Sequence, residues 1–321
     1  MKPTIYVTRK VPEPIYAKLS KSCHVNIWNE PDIPVPREVL LEEVKEIDGL
    51  FCLITETIDQ EVIKAAPHLK VISNMAVGYN NIDVEAAAES GIIVANTPGV
   101  LTETTSDLTF ALLMATARRL VEANDYLKKG QWKTWSPLQM TGQDIYGSTL
   151  GIIGFGRIGQ AVAKRASGFH MDVLYYNRTR KQEMEKTLGV RFTDMETLLK
   201  ESDFICLLVP YNKHTHHLIG EKELKLMKST AVLINTARGG VVDEQALYQA
   251  LINEEIWGAG LDVFKREPVD PALPLLMLPN VVALPHIGSA SIATRMRMAN
   301  LAADNLINAL ENKEPVMRVT L

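Results

Sequence analysis

The sequence has few cysteines and no long apolar run, and both absences narrow what the protein can be. Its three cysteines, Cys23, Cys52 and Cys206, are odd in number and far apart, which excludes a disulfide framework and a paired-cysteine zinc site. No stretch approaches the roughly 18 consecutive apolar residues that a spanning helix needs. The first apolar run, residues 5–7, is too short for a signal-peptide core, so we expect a cytoplasmic protein without membrane contact.

The sequence also lacks a large excess of either charge, because it has 34 basic and 38 acidic residues and a net charge of −4. Without a basic excess, neither nucleic acid nor an anionic membrane is expected as a partner. The histidines at 214, 216 and 217 fit no standard metal spacing and have no cysteine or carboxylate cluster nearby, so we predict no bound metal. A composition of 46% apolar and 22% charged residues is that of a folded protein, and 321 residues correspond to about two domains.

Short apolar strands alternate with helical segments, which is the pattern of parallel α/β domains. A first set of strands is predicted at residues 4–8, 24–28, 49–53, 70–75 and 92–95. A second set is predicted at residues 149–154, 172–176, 204–208, 231–235, 257–263 and 281–284. Its six strands are the count of a full dinucleotide-binding sheet. A long helix at 102–127 and a tryptophan-bearing loop at 130–142 separate the two sets, and a last helix is predicted at about 292–311.

A glycine-rich turn follows the first strand of the second set. Residues 151–159 read GIIGFGRIG, with a strand before the glycines and a helix after them. In that order the first glycine allows a tight turn, the second lets the backbone approach a pyrophosphate, and the third lets helix and strand pack closely. The helix N-terminus offers free N–H groups to the phosphates. We therefore predict a dinucleotide site that includes Gly154, Phe155, Gly156, Arg157, Ile158 and Gly159.

The loop after the next strand indicates which dinucleotide is bound. Enzymes that use NAD place a carboxylate there to hold the ribose 2′-hydroxyl, but residues 177–181 read NRTRK and contain none. Guanidinium groups bind a 2′-phosphate through charge-assisted hydrogen bonds. We therefore predict NADPH, with NADH weaker, and contacts from Asn177, Arg178 and Thr179. The alternative is a solvated basic loop with no ligand.

Three further polar residues, Arg238, Glu267 and His286, each come just after a strand of the second set, where open α/β sheets bind ligands. Taken singly, each could equally be a helix cap or a loop residue. Taken together they match the reduction of a 2-keto acid. That reaction needs a cation to bind and polarise the keto acid, an acid to protonate the nascent alkoxide, and a carboxylate to keep the acid charged.

With these motifs the sequence resembles the D-2-hydroxyacid dehydrogenase family, and within it the glyoxylate/hydroxypyruvate reductases, over essentially its whole length. The resemblance lies in GIIGFGRIG at 151–159, INTARGG at 234–240, GAGLDVFKREP at 258–268 and LPHIGSAS at 284–291. It implies an α/β fold of two doubly wound parallel-sheet domains. A flavodoxin-like substrate domain (1–99 plus 287–321) and a Rossmann cofactor domain (100–286) would have the active-site cleft between them.

The resemblance also implies roles for individual residues. The catalytic set falls on Arg238, Glu267 and His286, and the backbone N–H groups of Val77 and Gly78 would hold the substrate carboxylate. Trp135 lies in the loop that, in such reductases, reaches across a homodimer to limit substrate size. Further cofactor contacts are implied for Thr104, Val209, Pro210, Thr236, Ala237, Arg238, Asp262, His286 and Gly288.

We therefore expect NADPH-dependent reduction of glyoxylate and hydroxypyruvate to glycolate and D-glycerate. One alternative keeps the fold and the reaction but changes the substrate to 2-ketogluconate, 3-phosphohydroxypyruvate or another 2-keto acid. The other alternative is a non-enzymatic interaction protein that senses a dinucleotide. Oxidation of NADPH on addition of glyoxylate distinguishes an enzyme from a sensor.

Overall fold

The computed structural model describes residues 2–319, which fall into two compact units. One unit runs to Leu101 and resumes at Ala290, and the other is Thr102–Ser289; the sequence predicts these boundaries after residues 99 and 286. The strands are β1 (Thr4–Val7), β2 (His24–Ile27), β3 (Gly49–Cys52), β4 (Val71–Asn74), β5 (Ile93–Ala95), β6 (Thr149–Ile153), β7 (Asp172–Tyr176), β8 (Arg191–Phe192), β9 (Phe204–Leu207), β10 (Val232–Asn235), β11 (Gly258–Leu261) and β12 (Val281–Ala283). The helices are α1 (Glu13–Ser22), α2 (Arg37–Glu43), α3 (Gln60–Ala65), α4 (Val84–Glu89), α5 (Thr102–Ala117), α6 (Leu120–Lys128), α7 (Arg157–Ala166), α8 (Gln182–Leu188), α9 (Met195–Glu201), α10 (Glu221–Leu226), α11 (Glu244–Ile252) and α12 (Ile292–Leu310).

The first unit is built on a parallel sheet. Within residues 2–319 its strands lie in the order β2-β1-β3-β4-β5, which is the order of flavodoxin-like sheets. Strands β3 and β4 are buried along their whole length, as expected for parallel strands covered on both faces. The last helix, α12, packs on β3 and β4 through small side chains such as Ala299 and Ala302, so the two ends of the chain share one core.

The second unit is built on a larger parallel sheet. Its strands in the described part of the chain lie in the order β12-β11-β10-β9-β6-β7-β8, and the order reverses between β6 and β9. The predicted α/β class with two parallel sheets is confirmed. The prediction of six strands here was wrong by one, because it missed β8. That strand has two residues at the sheet edge, which is too short for any periodicity.

The single long helix predicted at 102–127 was also wrong. Helix α5 ends at Ala117 and α6 begins at Leu120, because Arg119 adopts a left-handed backbone with φ of 53°. The carbonyl of Ala117 accepts the N–H of Gln143 at 2.8 Å, so the loop that returns after α6 takes the acceptor that a continued helix would use. None of the helices within residues 2–319 is long and apolar enough to cross a membrane.

The sheet of the second unit determines where its polar residues lie. All its strands are parallel, so their carboxyl ends share one edge, which is where open α/β sheets bind ligands. The residues that directly follow six of these seven strands are Gly154 after β6, Asn177 after β7, Leu208 after β9, Thr236 after β10, Asp262 after β11 and Leu284 after β12.

Candidate active site

The glycine turn lies at the point where the strand order of the second sheet reverses. Gly154 has φ of 100°, and a Cβ placed on it would lie 2.6 Å from the carbonyl carbon of Leu208. Glycine is required because the loops after β6 and β9 touch here through their backbones. Gly156 is the N-cap of α7, with no side chain to cap the helix and no acidic residue in its first turn. That end of α7 has free N–H groups for phosphate oxygens, together with the exposed Arg157.

The loop at 177–181, which follows β7 and is predicted to bind the cofactor, is bonded to this turn. The Oδ1 atom of Asn177 accepts the N–H of Phe155 at 3.3 Å, and its Nδ2 donates to the carbonyl of Thr179 at 2.8 Å. The ring of Phe155 is fully buried and stacks on the ring of Tyr175 with 4.2 Å between ring centroids. Among the predicted cofactor residues, Phe155 can therefore offer a ligand only its backbone.

The cations of the loop at 177–181 are not equivalent. Arg180 donates from Nε and Nη2 to the two carboxylate oxygens of Glu185, at 2.8 and 2.7 Å, and Tyr175 donates its hydroxyl to the same carboxylate at 2.6 Å. The bond from Arg180, joined by that from Tyr175, lowers the pKa of Glu185 to about 2. Arg178 is exposed and has no hydrogen-bond or ion-pair partner among residues 2–319, so it is the guanidinium of this loop that can accept a new anion.

His286 and Glu267 form a hydrogen-bonded pair. The distance between Nδ1 of His286 and Oε2 of Glu267 is 2.6 Å, and Oε1 of Glu267 accepts the N–H of Phe264 at 3.0 Å. Burial raises the pKa of Glu267, but the hydrogen bond and charge of His286, with the Phe264 N–H, outweigh burial and lower that pKa. Because an ionised carboxylate only accepts, Nδ1 carries the shared hydrogen, and Nε2 is left for another partner.

Asp262 holds the backbone on which His286 lies. Its carboxylate accepts the N–H groups of Ile287 at 2.7 Å and Gly288 at 2.8 Å, and its carbonyl accepts the N–H of His286 at 2.9 Å. His286 has φ of 53°, a left-handed conformation that a non-glycine residue keeps only when its surroundings fix it. Burial raises the pKa of Asp262, although the two N–H groups and the charge of His286 oppose the rise.

Arg238 follows β10 on a loop fixed by Asn235. The carboxamide of Asn235 accepts the N–H of Ala237 and donates to the carbonyl of Arg238, both at 3.0 Å. Burial lowers the pKa of Arg238 and the charge of Glu267 opposes this, so the two groups lie close enough to influence each other. A Cβ on Gly239 would lie 1.8 Å from the carbonyl carbon of Phe264, so the loops of Arg238 and Glu267 pack backbone against backbone. Arg238, Glu267 and His286 are thus brought together.

The remaining predicted cofactor residues of the second unit lie at the same edge or at α5. Thr104 is in the first turn of α5, and Val209 and Pro210 follow β9. The Thr236 hydroxyl oxygen lies 2.7 Å from that of Thr109 on α5.

His216 and His217 stack on each other with 3.9 Å between ring centroids, and no group of three or more metal-ligating side chains occurs in residues 2–319.

In the second unit, the loop around Trp135 and helix α6 both expose large apolar side chains, which we call the exposed apolar surface. Trp135 is 76% exposed, Trp132 56% and Leu138 83%. Helix α6 has no buried residue and exposes Leu120 and Leu127. So large a set of exposed apolar side chains is typical of a surface that another molecule covers.

In the first unit, Val77 and Gly78 lie on the loop after β4, and the carbonyls of Ala76, Val77 and Gly78 in this loop are bonded. The N–H of Thr97 donates to the carbonyl of Ala76 at 2.8 Å, Asn96 Nδ2 donates to that of Val77 at 2.8 Å, and Asn74 Nδ2 donates to that of Gly78 at 3.0 Å. Neither the Val77 nor the Gly78 N–H has an acceptor within residues 2–319. Sequence reasoning gave no role to the side chains of Asn74, Asn96 and Asn235; asparagine at or just past the end of a strand was the available signal.

These features define the class of protein. A strand–glycine turn–helix unit at the switch point of a parallel sheet is the binding site of a dinucleotide. An imidazole bonded to a carboxylate at the same sheet edge can deliver a proton. The protein is therefore an oxidoreductase with a Rossmann domain that binds a nicotinamide dinucleotide.

Comparison with known proteins gives the family. Residues 110–288 match the model of the D-isomer specific 2-hydroxyacid dehydrogenase NAD-binding domain. The chain is 53% identical to a glyoxylate reductase of Korarchaeum cryptofilum over 308 residues, which cover 96% of this chain and 92% of that protein. It is 45% identical to the TT0316 protein of Thermus thermophilus, with a TM-score of 0.92 and coverage of 99% and 100%. It is also similar to the NADPH-dependent glyoxylate/hydroxypyruvate reductase of Sinorhizobium meliloti, solved with NADP and malonate, with 33% identity, a TM-score of 0.88 and coverage of 100% and 97%. The chain belongs to the D-isomer specific 2-hydroxyacid dehydrogenase family.

Proposed function

We propose that the protein uses NADPH to reduce glyoxylate and hydroxypyruvate to glycolate and D-glycerate. The observation that carries this proposal is the 2.6 Å bond between His286 and Glu267, with Arg238 close enough for its charge to act on Glu267. The names of the relatives support the choice of substrate, since the Korarchaeum protein is a glyoxylate reductase and the Sinorhizobium protein a glyoxylate/hydroxypyruvate reductase.

Each of the three side chains has one task in this reaction. Arg238 binds the keto acid and polarises its carbonyl, because a fixed guanidinium stabilises the negative charge that develops on the oxygen. His286 delivers a proton to that oxygen from Nε2, while Glu267 orients the ring through Nδ1 and stabilises its charged form. The reduced dinucleotide, when bound, supplies a hydride for C2 of the keto acid.

The substrate carboxylate binds the N–H groups of Val77 and Gly78. Both belong to consecutive peptides whose carbonyls are already bonded to other groups, so the two N–H groups are fixed and lack acceptors in the described residues. A carboxylate accepts two such bonds well, because charge-assisted hydrogen bonds are roughly twice as strong as neutral ones.

The preference for NADPH rests on Arg178. The loop at 177–181 contains no carboxylate, and Glu185 neutralises Arg180 through a bidentate ion pair. Arg178 is therefore the guanidinium left to bind the 2′-phosphate, with the hydroxyl of Thr179 next to it in the loop. The preference for NADPH then depends on one principal contact, from Arg178, and not on the overall positive charge of the loop.

The protein forms a homodimer through its exposed apolar surface, and Trp135 limits the size of the substrate in the partner's site. Support comes from the exposure of Trp132, Trp135 and Leu138 together with one face of α6. Tryptophan is enriched at the buried centre of protein interfaces.

A substrate panel tests the proposed function. The purified protein is mixed with NADPH or NADH and with glyoxylate, hydroxypyruvate, 2-ketogluconate or 3-phosphohydroxypyruvate, and loss of the reduced-dinucleotide absorbance is followed. We expect the highest kcat/KM for glyoxylate and hydroxypyruvate with NADPH. Faster turnover of 2-ketogluconate or the phosphorylated acid would replace the substrate assignment. Dinucleotide binding without turnover of any of them would favour a sensor.

A further inference from the structure

The loop that holds Val77 and Gly78 is connected to a buried side chain on the last helix. Asn305 of α12 is completely buried, and its Nδ2 donates to the carbonyl of Asn96 at 3.0 Å. Its Oδ1 accepts the N–H of Met317, also at 3.0 Å. We propose that Asn305 is a positioning residue for the substrate carboxylate, acting through the Asn96–Thr97 peptide; this rests on the proposed role of Val77 and Gly78.

Peptide planarity transmits the position of Asn305 to the first N–H group. A carbonyl and the N–H of the next residue belong to one rigid plane, so bonding the first orients the second. By holding the Asn96 carbonyl, Asn305 orients the Thr97 N–H, which donates to the carbonyl of Ala76 at 2.8 Å. The Ala76 carbonyl shares its plane with the N–H of Val77, so the orientation of that N–H is fixed as well.

The second N–H group, that of Gly78, is also oriented by the 96–97 residue pair. The side chain of Asn96 donates to the carbonyl of Val77 at 2.8 Å, and that carbonyl shares its plane with the N–H of Gly78. Asn96 is itself 8% exposed, so its carboxamide has little freedom to bond elsewhere. Residues 96 and 97 therefore orient both donors, and Asn305 fixes the peptide that joins them.

The successive bonds also strengthen one another. They run from the Met317 N–H through the Asn305 carboxamide, the 96–97 peptide and the 76–77 peptide to the Val77 N–H. Each donor in such a chain polarises the next, and the effect is larger in a buried, low-dielectric setting. The last N–H in the chain is consequently a better donor to an anion than an isolated peptide N–H.

Packing alone does not account for an asparagine at this position. Its neighbours on the buried side of α12 are Ala302, Ala303, Leu306 and Ala309, all apolar. A buried carboxamide is unfavourable unless its hydrogen bonds are made, and here both ends are bonded to backbone groups. What the polar side chain adds is a defined direction for the groups that it bonds.

Substitution of Asn305 with a matched control tests the proposal. Asn305→Leu removes both bonds, whereas Ser73→Ala removes a different buried bond between β4 and α12, from Ser73 Oγ to the carbonyl of Ala302 at 2.7 Å. We expect Asn305→Leu to raise the KM for glyoxylate and the dissociation constant for oxalate by about tenfold, the size of a weakened charge-assisted bond. The kcat at saturation and the affinity for NADPH should stay within about twofold, and Ser73→Ala should leave the KM unchanged while lowering the melting temperature comparably.

Two further measurements keep the test decisive. If Asn305→Leu does not fold, Asn305→Ser carries the same test, because its hydroxyl is too short to bond both Met317 and Asn96. In a double-mutant cycle with Asn96→Ala, the effects on KM should be less than additive, since both variants release the same donors.

An unchanged KM in the Asn305 variants, or a loss of NADPH affinity equal to the rise in KM, overturns the positioning role. Failure of the proposed function is seen separately, as absence of glyoxylate reduction by the unaltered protein; oxalate binding then still tests Asn305.

Discussion

The imidazole of His286 and the carboxylate of Glu267 are joined by a 2.6 Å hydrogen bond, and each partner is held from its other side as well. The second oxygen of Glu267 accepts the N–H of Phe264, and the backbone of His286 is bonded to Asp262. The pair is therefore fixed in orientation before any substrate arrives. Such preorganisation is what a proton donor needs to act without rearrangement.

Replacing Glu267 by glutamine tests the contribution of its charge. The carboxamide has nearly the shape of the carboxylate but does not stabilise an imidazolium. We expect kcat/KM to fall by about 10²-fold, within the usual range for acid–base groups. Dissociation constants for NADPH, measured by fluorescence, serve as the control. A kcat/KM close to that of the unaltered protein would contradict the role of Glu267.

The same substitution predicts a pH dependence of stability. The pKa of Glu267 is lowered in the folded protein because, against the effect of burial, His286 and the Phe264 N–H favour the ionised form. A carboxylate of this kind stabilises the fold above its unfolded pKa of about 4.3, and the contribution is lost as the pH falls through the folded pKa. The difference in the free energy of unfolding between the unaltered protein and Glu267→Gln should therefore shrink on acidification below that value. Urea denaturation at several pH values measures it, and a difference that is independent of pH would count against it.

Two substitutions of Asp262 test the two hydrogen bonds that its carboxylate accepts. Asp262→Ala leaves the N–H groups of Ile287 and Gly288 without acceptors, which typically costs about 1–3 kcal/mol for each buried group. Asp262→Asn keeps one acceptor and should be intermediate. Because the same turn holds His286 in its left-handed conformation, kcat should fall in the same order. Thermal unfolding and steady-state kinetics check both expectations, and full activity in Asp262→Ala would refute the link to His286.

Two arginines of one loop form a matched pair for cofactor preference. Arg178→Ala should reduce the ratio of NADPH to NADH efficiency by about tenfold or more, since it removes a charge-assisted contact to the 2′-phosphate. Arg180→Ala should change this ratio much less, because Glu185 already binds its guanidinium. The readout is kcat/KM with each dinucleotide, together with the affinity for 2′,5′-ADP relative to AMP. Equal effects of the two variants would assign the preference to the loop's overall charge.

Trp135→Ala tests the exposed apolar surface. The ring is 76% exposed in the single chain, so its removal should not reduce thermal stability of the monomer fold. If a partner covers it, the mass measured by light scattering will shift toward monomer on dilution. Activity toward acids larger than hydroxypyruvate should also rise relative to glyoxylate. Lys133→Ala in the same loop is the control, and a dimer of unchanged stability and selectivity in Trp135→Ala would contradict the prediction.

The sequence was informative where function depends on local pattern. The position of Gly154 between a strand and a helix predicted its turn, and parallel strands explained why residues as distant as Arg238 and His286 share one edge of the sheet. The break at Arg119 was missed because a left-handed arginine has no propensity signal and its cause, Gln143, lies in a later loop. The pairing of Arg180 with Glu185 and the bond from Asn305 to Asn96 are choices of partner, and the second spans 209 residues, beyond any local pattern.

Gly239 lies against the backbone at Phe264, and this contact limits how the two loops can change during evolution. No side chain separates the two loops, so neither can shift without displacing the other. Exchange of residues that contact the substrate can alter which acids are accepted while the spacing of guanidinium and carboxylate is preserved. Glycine at position 239 thus fixes the spacing of Arg238 and Glu267, while residues that contact the substrate can change.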